Sequence, residues 1–359
     1  MVVALLLASC GDDDGRAPTT AAPIVFSAEA NRLNAYDPAD GFRKQTVIPS
    51  HADDPLNGLD INAQICFARD GSRRFIAGED TGQPTPPQGW GYFQLHGSAV
   101  GMLSATRLSR LVPTYQNSLN NAENYGCGFL SDGRLLTTDV GDQASGPASG
   151  QLIIWFLPLD ARSPRYCKLD VEIGTAGGIY IDAQDRAYVA SARVQPGIFR
   201  YSGPFPTSDT AAGGCGQHDT TGAPLADAVQ KETFIIGSAN IPTPSGIVQS
   251  PQGTFYVSSV LNGVIAEFDA SGRVLRRVLM HPPGETAPYS SGTPFGIGID
   301  AAGTLYYADI GLQIDLGSDI GPGPNLGTVR RIRFVDGEPQ APELMDQGLN
   351  FPDGIGVLE

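Results

Sequence analysis

The chain has 359 residues, 41% of them hydrophobic, with 45 glycines and 28 prolines. That length holds one large all-β domain or two ordinary ones with a full core, and so many Gly and Pro residues suit short strands joined by turns. A net charge of −15 argues against nucleic acid or an anionic membrane surface as a direct partner.

The chain opens MVVALLLASC-GDDDG, a short apolar run ending Leu7-Ala8-Ser9-Cys10. This resembles a bacterial lipobox. The resemblance implies a signal peptide over 1–9, a lipid on Cys10, a flexible tether over 10–23 and a folded part over 24–359. The run is too short for a transmembrane helix. No Lys or Arg precedes it, which points to a start codon further upstream. The expected place is the bacterial cell envelope, periplasmic or at the outer surface, with the membrane held through Cys10. Export puts Cys66, Cys127, Cys167 and Cys215 in an oxidising compartment. Four cysteines allow three pairings, and the sequence neighbours, 66 with 127 and 167 with 215, are favoured. There is no C-x-x-C, so a thiolate zinc or redox site is not expected.

Along the chain, PIVFSAEANRLNAYDPADGFRKQTVI at 23–48 reads as the second, third and fourth strands of a unit that lacks its first. A loose hairpin phrase, AQICFARDGSRRFIAGED, starts at Ala63, and a short helical piece is possible around 101–111. Closer copies follow: GCGFLSDGRLLTTDVG from Gly126, GGIYIDAQDRAYVASA from Gly177, SGIVQSPQGTFYVSSV from Ser245 and TPFGIGIDAAGTLYYADIG from Thr293. Each is a buried strand, a tight turn and a second strand rich in aromatic and β-branched residues. In the turn, Asp bonds its own backbone two residues on and Gly accepts a positive φ. Within the last copy, Gly296, Gly298 and Ala301 satisfy a dinucleotide pattern, but that pattern needs a helix after it. LYYAD follows instead, so GIGIDAAG is a hairpin. A second pair of strands, clearest in GVIAEFDASGRVLRRVL at 263–279, completes a four-stranded unit of about 40 residues, the size of a propeller blade. FPDGIGVLE at the end supplies one strand of the first type. Joined to 23–48 it makes a sixth blade, giving an all-β, six-bladed propeller closed by one C-terminal and three N-terminal strands.

The phrases GIGIDAAGTLYYAD and PDGI resemble the NHL and SMP-30/gluconolactonase group of six-bladed propellers over 24–359. If the turns lie on one face, the residues entering each first strand and leaving each second strand surround the channel mouth on the other. Those are Asn124 and Asp353 entering, and Glu79, Asp139 and Asp309 leaving, with Asp80, Asp142, Asp315 and Asp319 close after. Five oxygen-bearing side chains from several blades suit a hard cation such as Ca²⁺ or another divalent ion. The resemblance implies a metal held at that mouth, with Asp353 of the PDG phrase and Asn124 before Gly126 in the ligand set. It also implies a lactone or ester hydrolase in which Asp353 activates water. The alternative is a non-catalytic binding propeller at the envelope, using its inserts near 80–100, 140–150, 203–230 and 311–327 to hold a protein or glycan. Within the insert PTPPQGWGYFQLHG, Trp90 and His96 either rim a pocket or pack onto the propeller. The remaining histidines, His51, His218 and His281, lie in loop-like segments without metal spacing.

Overall fold

In the computed structural model, residues 22–80, 89–113, 124–140, 150–192, 195–314 and 320–359 are described. Cys10 and the proposed leader lie outside them, as do Asp142, Asp315 and Asp319. Six four-stranded antiparallel blades follow one another around an axis. Their innermost strands are Asp60–Phe67, Asn124–Phe129, Ala176–Ile181, Pro244–Gln249, Pro294–Ile299 and Gly354–Leu358, in blades one to six. Each inner strand packs against the next, and the sixth returns to the first. In blade six, Gly354–Leu358 pairs with Ile24–Glu29, which continues through Arg32–Asp37 to Arg43–Ile48. The ring closes as the sequence implies, with no inner strand left as an open end.

The repeated hairpin is built as its chemistry demands. Asp300 accepts from the Thr304 N–H at 2.7 Å, and Gly303 takes φ +85°. Blade three keeps the same turn with Asp185 at φ 58° in the glycine's place. Between blades the contact is backbone to backbone. At the head of the inner strands stand Ala63-Gln64, Tyr125-Gly126, Gly177-Gly178, Ser245-Gly246, Phe295-Gly296 and Asp353-Gly354. A side chain on Gly354 would collide with the Ala63 carbonyl, and one on Gly296 with the Asp353 carbonyl. At these two positions the opening glycine is therefore a steric requirement of the contact between blades. Hydroxyls on second strands clip neighbouring blades: Thr138 Oγ1 accepts from Gly126 N and donates to the Gly177 carbonyl, both at 2.7 Å. Ser258 makes the matching bridge from Gly246 N to the Phe295 carbonyl.

Both favoured disulfides are present. Cys66–Cys127 ties the inner strands of blades one and two, and Cys167–Cys215 ties blade two to the long insert of blade three. Closing loops of 61 and 48 residues restricts the unfolded chain, worth about 4 kcal/mol each on a chain-entropy view.

Three expectations change. The piece around 101–111 holds a strand, not a helix: Ser104–Leu111 pairs along its length with Gly89–His96, and ladder hydrogen bonds override the local spacing. The insert near 80–100 contains the third strand of blade one, with Trp90 and Tyr92 in the core and only His96 exposed. The insert near 203–230 is more than a loop. Its short strands Gln217–His218 and Pro224–Leu225 extend blade two to six strands and cover that blade's outer edge.

Candidate functional site

Register places the five proposed oxygen donors on one face. Asn124 lies opposite Asp139, Ile61 opposite Glu79, and Pro294 opposite Asp309, so these strand ends share the face at which inner strands begin. Asp353 immediately precedes the inner strand of blade six on the same face. We call it the mouth face, and the opposite one the turn face.

Each donor has a local role there. Glu79 is buried, and its Oε1 accepts from Arg107 Nη1 at 2.5 Å with Arg110 Nε at 3.4 Å. Burial pushes its carboxyl up from the ordinary value, against the pull of both guanidiniums. Asn124 donates through Nδ2 to the Gly89 carbonyl at 2.8 Å. Asp139 is fully buried, and its charge bears on Lys168. Asp309 accepts four hydrogen bonds: Oδ1 from Thr293 N, Thr293 Oγ1 and Gly311 N, and Oδ2 from Thr328 Oγ1, at 2.7–3.0 Å. Arg330 stands 3.8 Å away. Asp353 Oδ2 accepts from Ala63 N at 2.9 Å, and its carbonyl accepts from Tyr125 Oη at 3.3 Å. Burial first, and then the charge of Asp353, raise the Tyr125 pKa well above its ordinary value. The Asp80 side chain lies outside the described residues.

The axis itself is filled. Tyr125 and Phe295 head the inner strands of blades two and five, which face each other across a six-membered ring. Their ring centroids are 4.5 Å apart, and Phe351 lies 6.2 Å beyond Phe295. One step deeper, Gln64 stands where every other blade has glycine. Its Oε1 accepts from Cys127 N and Ile179 N, and its Nε2 donates to the Ile179 carbonyl, all at 2.9–3.2 Å. Three blades are thereby joined through one side chain. Neither Gln64 nor the Tyr125–Phe295 pair follows from the hairpin phrase. An aromatic before the glycine in two opposite repeats, and a glutamine replacing that glycine in a third, are the signals that could have found them.

A calcium ion needs six to eight oxygens converging at 2.3–2.6 Å. Among the described residues no three His, Cys, Asp or Glu side chains come together in that way. Glu79 faces two guanidiniums and Asp309 faces N–H and O–H donors, both of which repel a cation. This donor set does not fit the metal expected at the mouth.

On the turn face the channel opens as a cavity of about 290 Å³ whose walls include Phe67, Phe129, Tyr180, Val248 and Val357, with Gln64 among the residues lining it.

No protein-family model matches this chain, and no curated protein matches it either. Solved structures do resemble it. A luciferin-regenerating enzyme is 14% identical, over 93% of this chain and 91% of that one, with a TM-score of 0.54. A structure of the nidogen/laminin complex matches at 12% identity over 93% and 98%, with a TM-score of 0.55. A gluconolactonase from Xanthomonas campestris matches at 13% identity over 77% and 75%, with a TM-score of 0.45. At these identities what is shared is the fold.

Proposed function

We propose that this chain is a non-catalytic binding propeller outside the cytoplasm, tethered to the cell envelope through a lipid on Cys10. The observation that carries the reading is the contact of Tyr125 with Phe295, from opposite blades, at the mouth where the sequence implies a cation. Two disulfides suit an oxidising compartment and hold three blades in fixed register. A rigid ring with varied loops on a constant frame is suited to holding an envelope protein, a glycan or a small molecule.

The other reading, a calcium-dependent lactone or ester hydrolase with Asp353 as base, asks more of these residues. Glu79 would have to leave Arg107 and Arg110, and Asp309 would have to release four donors. Asp353 would have to turn from Ala63 N towards a water held near two aromatic rings.

The test is hydrolysis of δ-gluconolactone and p-nitrophenyl acetate by the full chain, with added calcium and with chelator. Rates at the uncatalysed level in both conditions are expected. Calcium-dependent turnover that disappears in Asp353→Asn would replace the binding reading with the hydrolase.

A further inference from the structure

The channel is blind at the mouth face and open at the turn face, and this asymmetry suggests what the propeller binds. Gln64 bridges blades one, two and three across the channel, with the tilted Tyr125–Phe295 pair beyond it. Above Gln64 the walls are the inner-strand side chains Phe67, Phe129, Tyr180, Val248, Ile299 and Val357, with the Cys66–Cys127 bridge among them. An apolar cavity of roughly 150 Å³ holds benzene, so the 290 Å³ here suits a ligand of roughly ten to fifteen non-hydrogen atoms.

One cation stands at the rim. Arg69 lines this cavity and also an adjoining recess of about 290 Å³. It is held through Nη1 alone, which donates to the Asp182 carbonyl at 3.1 Å and to Asp185 Oδ1 at 3.2 Å. Asp185 is independently satisfied by Ser131, which donates from its N–H at 2.8 Å and its Oγ at 2.5 Å. Arg69 is therefore fixed in direction while its Nε and Nη2 donors make no hydrogen bond among the described residues. At the turns of blades one to three, Asp70 is matched by Arg74, Asp132 by Arg134 and Asp182 by Arg186, while across the channel Asp300 is held by Thr304 N and Tyr306 Oη and Glu359 accepts from Ala301 N. On the side of blades one to three the acids are paired, and a further carboxylate there meets the Nε and Nη2 donors of Arg69.

We propose that this funnel is a binding site for a small carboxylic acid with a flat or short-chain apolar body. The body fills the channel above Gln64 and the carboxylate pairs with Arg69. This rests on the binding reading of the propeller and gives it a ligand class, on the face opposite to the one the acidic residues mark.

The test uses 2-naphthoate and its neutral counterpart, 2-naphthalenemethanol, titrated calorimetrically into the full chain. Naphthoate binds about tenfold more tightly than the alcohol, because charge-assisted hydrogen bonds to Arg69 are available only to the acid. Arg69→Met removes that difference and leaves the alcohol's affinity in place, while Val248→Trp fills the funnel and removes both. Should Val248→Trp fail to fold, protection of Arg69 from phenylglyoxal by naphthoate reports the same contact in the unaltered chain. Equal affinity for acid and alcohol, no effect of Arg69→Met, binding that survives a folded Val248→Trp, or no protection would each overturn the site. Any of these without calcium-dependent hydrolysis removes the funnel ligand alone; calcium-dependent hydrolysis removes the binding reading beneath it.

Discussion

Asp219→Ala is expected to lower the stability of the chain by about 3–5 kcal/mol, the usual penalty for breaking a buried ion pair by removing one of its members. The charge in question is Lys168, whose side chain is 1% exposed on the outer strand of blade two. Its ammonium donates to Asp219 Oδ2, and Asp219 Oδ1 accepts from Thr221 N at 2.8 Å and Ala223 N at 3.0 Å. Burial lowers the Lys168 pKa, against the pull of Asp219. Burial also works against the Asp219 carboxylate, yet the bonds from Lys168 and Thr221 hold its pKa below the ordinary 3.8. A carboxyl lowered in the folded state adds stability above its unfolded pKa and loses it as pH falls through the folded value. The contribution is thus whole at neutral pH and fades only in strong acid. Denaturant unfolding of Asp219→Ala beside Lys168→Met/Asp219→Ala gives the check. The double variant recovers part of the loss, since the Lys168 ammonium is gone, with Asp139 then losing the pull of its charge. A single variant within about 0.5 kcal/mol of the parent would mean that the clasp between blades two and three does not rely on this pair.

The second large effect separates a structural carboxylate from a metal ligand. Asp309→Ala removes the acceptor for two backbone N–H groups, those of Thr293 and Gly311, and for the hydroxyls of Thr293 and Thr328. The hydroxyls can turn elsewhere, but the N–H groups cannot. At about 1–3 kcal/mol for each orphaned buried donor, the loss is roughly 3 kcal/mol. Asp309→Asn differs sharply. Its amide oxygen keeps the three bonds now made to Oδ1, and its NH₂ can donate to the Thr328 hydroxyl, so the loss is about 1 kcal/mol. A divalent ion would be weakened strongly by either change, because Asn removes the charge. Unfolding curves of the two variants in chelator therefore distinguish the roles. Equal losses would contradict the hydrogen-bond account.

Most of the architecture was legible because it rests on local chemistry repeated several times. Asp-x-x-Gly turns, an alternation that buries one strand face, and a Gly at the head of five of the six inner strands all operate within some fifteen residues. The closure of Phe351–Glu359 onto residues 23–48 could be read from an unmatched first strand at one end and three unmatched strands at the other. The disulfides followed from sequence order. The mouth was legible only by position. The strand ends Glu79, Asp139 and Asp309 do share a face with Asn124 and Asp353, but what each side chain does there depends on partners contributed from elsewhere. Arg107 and Arg110 reach Glu79 from the outer strand of the same blade, two strands further on. Tyr125 meets Phe295 from the opposite side of the ring, 170 residues later in the chain. Lys168 finds Asp219 in an insert that leaves blade three to pack on blade two. Such pairings depend on how blades pack, and period-two patterning carries no record of it. The funnel was hidden for the same reason: its wall takes a few residues from each inner strand, and Gln64 is noticeable only once the six strand heads are superimposed.

On this reading the mouth carboxylates serve as structural partners of guanidiniums and of N–H and O–H donors, not as ligands of a cation. The most direct measurement is the metal content of the purified full chain, with melting curves taken in calcium and in chelator. No stoichiometric divalent metal and the same melting temperature in both are expected. One calcium per chain, a melting temperature that falls on chelation, and loss of both in Asp353→Asn with Asn124→Ala would contradict this reading and restore the mouth as a metal site.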